Sequence, residues 1–144
     1  MENFKLDIQI RWSDLDPNFH LRHSVYYDWG ALCRVHFLNL YGLNAAVMQE
    51  LKIGPILFRE EAIFRKEIRS EDVVFITLEL KKARKDFSRW AIQHQIIKSG
   101  DLLAAVVTVE GAWIDIVKRK LTLPPDKVAH IFDTMPKGEN FEWM

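Results

Sequence analysis

From Lys5 to Arg11 apolar and polar residues alternate, with Leu6, Ile8 and Ile10 on one side and Lys5, Asp7, Gln9 and Arg11 on the other. That period of two predicts a half-buried strand. After the turn-like stretch SDLDPN the period lengthens: Val25, Tyr26, Trp29, Leu32, Cys33, His36, Phe37 and Leu40 recur at helical spacing as far as Gly42. A long helix with a broad apolar face is expected, closed by the glycine. Gly30 lies inside it, at a cost of up to about 1 kcal/mol relative to Ala, and a close approach of helix to sheet would account for its presence. A shorter helical piece, NAAVMQELK, runs up to Gly54–Pro55, which is expected to act as a breaker.

Beyond that point the period returns to two. PILFREEAIFRKEI holds one strand or two short ones, and Val74, Ile76, Leu78 and Leu80 alternate cleanly with polar neighbours. RWAIQHQIIK reads as a further strand, joined through the turn Ser99–Asp101 to LLAAVVTVEGAWIDI as a hairpin. The centre of that last strand is apolar at successive positions, the pattern of a strand covered on both faces. A short helix in PPDKVAHIF, with Pro125 near its first turn, is expected to close the chain. Strand, long helix and then several antiparallel strands make an α+β arrangement. The 144 residues suit one domain, 1–144, with no repeat or linker inside it.

Composition narrows the function. Twenty basic and twenty acidic side chains cancel, which removes the strongly basic face of most nucleic-acid binders. Cys33 is the only cysteine, so no internal disulfide forms, and its apolar neighbours predict a buried thiol. The first ten residues carry no secretory signal pattern and LLAAVVTV is too short to cross a membrane as a helix. A cytoplasmic protein without a membrane partner is expected.

The chemistry concentrates in RWSDLDPNFHLRHSVYYDW, Arg11–Trp29. Asp16 precedes Pro17, which biases it toward an extended or turn conformation, on a loop ahead of a helix N-terminus. There the first N–H groups lack intrahelical partners and the dipole favours negative charge. A carbonyl oxygen held by such donors, with a carboxylate beside the carbonyl carbon, makes two parts of an acyl-transfer site. Asp16 would attack directly or deprotonate a water, and an activated acyl group such as a thioester is the natural substrate. Asp14 reads as a cap or brace. His20 and His23 lie near, but without the ligand spacing of a metal site, and neither a G-x-S-x-G elbow nor a phosphate-binding glycine loop is present.

This stretch resembles the N-terminal signature of hotdog-fold acyl-CoA thioesterases of the 4-hydroxybenzoyl-CoA thioesterase type, with Asp14, Asp16, His20 and Tyr26 at matching positions. FRKEIRSEDVVFITLEL and WIDIVKRKLTLPPD resemble later segments of the same family. The resemblance implies a long central helix wrapped by a curved antiparallel sheet and Asp16 as general base or nucleophile. It further implies a homodimer or homotetramer with the acyl site between chains, and no cofactor beyond the coenzyme A of the substrate. His20, His23 and Tyr26 would contact the substrate, and Lys118, Arg119 and Lys120 would hold the phosphates of coenzyme A by charge-assisted bonds. The basic run Lys81, Lys82, Arg84 and Lys85 reads as a solvated turn. Phe19 stands where many relatives have Gly, and Val25 where they often have Asn. Those two departures favour an alternative, a non-catalytic module that binds acyl thioesters or serves as a scaffold. A hotdog dehydratase, the third reading, would use His20 paired with a carboxylate. Glu60 and Glu61, which could invoke another thioesterase branch with a helix-borne Glu, read as strand decoration.

Overall fold

The computed structural model describes residues 3–144. Among these, seven strands form one sheet: β1 (Phe4–Ile8), β2 (Ile53–Phe64), β3 (Val74–Ala83), β4 (Arg89–Lys98), β5 (Leu102–Asp115), β6 (Lys120–Leu121) and β7 (Lys137–Trp143). The helices are α1 (Val25–Leu40), α2 (Ala45–Leu51) and α3 (Asp126–Asp133). Strand order is β1-β3-β4-β5-β2 with every neighbour antiparallel, while β6 pairs with the end of β5 and β7 runs parallel to the end of β3. None of the described helices is long and apolar enough to cross a membrane.

The period of two in β3 becomes one buried face: Val74, Ile76, Leu78 and Leu80 are all buried. The β4–β5 hairpin turns through Gly100 and Asp101 at φ 82° and 57°, and successive left-handed residues match the twist of the strands they join. Helix α1 lays Trp29, Cys33 and Phe37 on the buried face of the sheet. The tight approach expected at Gly30 is present: a Cβ there would stand 3.4 Å from both His94 and Val107 and 3.2 Å from the Arg34 guanidinium. Helix α3 docks through Phe132, whose ring lies 5.2 Å from Trp90 and 5.1 Å from Trp113. Burying such a ring stabilises the contact by roughly 2 kcal/mol.

Three local expectations change. Gly54–Pro55 does not separate α2 from the sheet but lies within β2, where Pro55 pairs with Trp113; the missing N–H is tolerated because β2 is an edge strand. Of the one strand or two short ones expected in PILFREEAIFRKEI, the first holds: the segment supplies most of β2, whose register shifts between Leu57 and Arg59. The centre of β5 is covered on one face only, with Val107 and Val109 buried and Val106, Thr108 and Glu110 half-exposed. The chain does not end on a helix either: β7 follows α3. Its sequence, KGENFEW, has too many charges to announce a strand, and it forms because β3 extends past β1 and leaves ladder positions open at Leu80–Ala83.

Candidate active site

The loop between β1 and α1 is braced before it reaches Asp16. Asp14 is buried and takes the Arg11 guanidinium through Nη2 at 2.8 Å and Nε at 3.2 Å, and the Arg11 backbone N–H at 2.9 Å. Burial raises the Asp14 pKa, but the Arg11 hydrogen bonds and charge outweigh it and hold the carboxyl below its ordinary value. Asp14 is therefore the brace its position suggested. Arg22 ties the far side of the loop, donating its backbone N–H to the Asp14 carbonyl and its Nη1 to the Ser13 carbonyl, both at 2.7 Å.

Asp16 sits in the tight bend this brace encloses. Its N–H donates to the His20 carbonyl at 2.8 Å, and its Oδ1 accepts from the N–H groups of Asn18 (2.9 Å) and His20 (3.1 Å). Oδ2 accepts no hydrogen bond among the described residues. One oxygen is thus committed to orientation and the other left for chemistry. The bend closes only because Phe19 adopts φ 62°, a conformation that favours glycine. Its ring is largely exposed and packs on Trp12 at 6.0 Å.

Asp16, His20, His23, Tyr26, Phe64 and Glu67 line a cleft of about 340 Å³. His20 Nε2 lies 3.2 Å from Glu67 Oε2. Tyr26 packs edge-on against Phe64 at 4.9 Å. Its hydroxyl is pushed up to about 12, by burial first and then by the negative charges of Glu67 and Asp16, so it remains a hydrogen-bond donor at neutral pH. Helix α1 begins at Val25, where the helical spacing of apolar residues places it, and folding of the loop brings its first turn to the same cleft. Ser24 precedes the helix without capping it, because its Oγ accepts from Arg22 Nε at 3.0 Å instead. Among the described residues, no protein group accepts from the N–H of His23 or Ser24. The cleft therefore combines a carboxylate, the first turn of a helix without a side-chain cap and an aromatic wall.

Of the residues singled out in the sequence, Asp16, His20, His23 and Tyr26 meet here. Lys118 and Arg119 lie on the exposed turn between β5 and β6 and Lys120 opens β6; none of the three is part of this cleft's wall. Lys81 and Lys82 belong to β3, with Arg84 and Lys85 in the turn beyond it. Glu60 and Glu61 lie on β2. Val25 is fully buried and does not wall the cleft. Glu67 escaped the sequence reading because it stands in a run of charges, and only the pairing of His20 with Arg69 brings that run beside the loop.

A family model of the thioesterase-like superfamily matches residues 10–132. The chain belongs to that superfamily. No curated protein matches it in sequence. Solved structures do share its shape. A hypothetical protein from Staphylococcus aureus in complex with CoA is 18% identical over 95% of this chain and 88% of its own, with a TM-score of 0.84. The Synechocystis 1,4-dihydroxy-2-naphthoyl-CoA thioesterase is 14% identical over 92% of this chain and 97% of its own, TM-score 0.82. The DHNA-CoA thioesterase of Staphylococcus aureus is 19% identical over 85% and 81%, TM-score 0.76. At such identities the likeness is one of fold: this thioesterase-like chain has the α+β hotdog arrangement, a curled antiparallel sheet against a long helix.

Proposed function

We propose that this thioesterase-like protein hydrolyses an acyl-CoA thioester to a carboxylic acid and free thiol, with Asp16 as its catalytic carboxylate. The observation that carries the reading is the state of that carboxylate: Oδ1 is fixed by two backbone N–H groups while Oδ2 stays unengaged, in a cleft shared with the uncapped start of α1. A thioester carbonyl oxygen set against the N–H groups of His23 and Ser24 would leave its carbon open to a water deprotonated by Oδ2, or to Oδ2 itself. Both roles balance: the tetrahedral adduct expels the thiolate of coenzyme A, which takes up a proton, and the acid is released at once or after hydrolysis of a mixed anhydride. The Tyr26 hydroxyl, protonated at neutral pH, is a further donor in the cleft.

The aromatic wall of Tyr26 and Phe64 makes aromatic acyl groups, as in a thioesterase of the 4-hydroxybenzoyl-CoA type, the first substrates to try. Lys118, Arg119 and Lys120 supply cationic side chains suited to the coenzyme A phosphates. We also infer a homodimer. The edge strand β2 leaves Leu57, Phe58 and Ile63 exposed, and α1 leaves Leu32 and Leu40 exposed; an open edge beside apolar surface calls for a partner.

The features that would favour a non-catalytic module, Phe19 and Val25, are not part of the cleft wall. The His20–Glu67 pair is the feature a dehydratase would use. Thiol release separates these readings, because only the hydrolase liberates free coenzyme A. Asp16→Asn is expected to lower turnover at least about 100-fold, the usual scale for a lost general base, with the fold intact by circular dichroism. Wild-type protein that releases no thiol from any acyl-CoA would refute the hydrolase.

A further inference from the structure

A second cavity, of about 320 Å³, lies between α1, α2, β2, β4 and α3 and shares no wall residue with the Asp16 cleft. That volume falls within the ordinary range of small-molecule pockets. Its wall is apolar side chains such as Leu38, Leu43, Met48, Leu57 and Phe132, interrupted by Asn39 and by a single charged residue, Arg34.

Arg34 is held in place from behind. Its Nη1 lies 3.1 Å from His94 Nε2, and His94 Nδ1 lies 2.8 Å from the Thr77 carbonyl oxygen. A guanidinium only donates and a carbonyl only accepts, so Nε2 accepts and Nδ1 carries the hydrogen, the neutral imidazole. His94 is fully buried, and Gly30 leaves the space in which the guanidinium folds back to reach it. His94 is thus a positioning residue for Arg34.

The remaining donors of Arg34 are poorly served. Its side chain is 13% exposed, and the one carboxylate within 4 Å among the described residues, Glu60, stands 3.9 Å from Nη2, beyond hydrogen-bond length. A permanent cation largely withdrawn from water, with donors to spare, is costly unless an anion joins it. The planar fork of a guanidinium suits a carboxylate, and the walls around it suit a hydrocarbon chain.

We propose that this cavity is a binding site for an apolar monocarboxylate, with Arg34 holding the carboxylate and the chain lying along Leu38, Met48 and Phe132. The site does not depend on hydrolysis at Asp16. Isothermal titration of the full chain with octanoate, octanol and octylammonium tests it without a reaction. Octanoate is expected to bind at least about tenfold more tightly than octanol, the scale of one charge-assisted hydrogen bond, and octylammonium not at all. Arg34→Met should bind octanoate and octanol alike. Because that variant strands His94 and could fail to fold, Ala45→Trp, a substitution on the exposed rim of the cavity, provides the second arm and should abolish binding of both. Octanoate that does not bind, that binds no better than octanol, or that binds Ala45→Trp as it binds the wild type would overturn the proposal.

Discussion

Single residues set the terms at both sites. His94 is buried and neutral, its pKa lowered from 6.5 to about 3 by burial first and then by the Arg34 charge. The unfolded chain takes up a proton at this residue below about pH 6.5 and the folded chain does not, so stability present above that pH is lost as pH falls toward 3. Chemical unfolding followed across that window should show His94→Gln with a shallower acid slope than the wild type, by up to about 1.4 kcal/mol per pH unit; identical slopes would mean that His94 is protonated in the folded protein. Phe19 offers a different reading of strain. In Phe19→Gly, relief of the left-handed backbone, about 1 kcal/mol, should offset loss of the Trp12 contact of about the same size, leaving the melting temperature and thioester turnover near wild type. Turnover that rises steeply would show that Phe19 obstructs the cleft. The Asp-x-Asp pair, the two histidines and Tyr26 were legible because the chemistry is local in sequence. Glu67, Arg34 and His94 were not, since each acquires its neighbours only when strands and helix stack.

The elements explain why those neighbours meet. Gly111, on β5 opposite β2, leaves no room for a side chain: an added Cβ would stand 2.5 Å from both the Ile56 carbonyl oxygen and the Trp90 ring. Gly111→Ala should therefore destabilise the protein by about 3 kcal/mol, the upper range for overpacking, read as a lowered midpoint in urea; a midpoint within error of wild type would show that Trp90 and β2 yield freely. Clean periodicity made β3, β4, the β4–β5 hairpin and α1 readable from the chain. The Gly-Pro step misled because its meaning depends on whether the strand that contains it is an edge, and β7 was hidden because an edge pairing four residues long needs little hydrophobic pattern.

At the scale of the whole molecule, the hotdog arrangement brings a carboxylate on a braced loop to the first turn of a long helix and leaves β2 as an edge. The proposed dimer predicts sedimentation at twice the chain mass and a shift toward monomer in Ile63→Lys, which puts a charge on that edge; a wild-type monomer would remove the inferred interface. The proposed hydrolysis is tested most directly by thiol release from short, long and aromatic acyl-CoAs, comparing wild type with Asp16→Asn. A wild-type enzyme active on at least one of them, and a folded variant that is nearly inert on the same substrate, is the predicted result. A variant that keeps wild-type turnover would contradict the role assigned to Asp16.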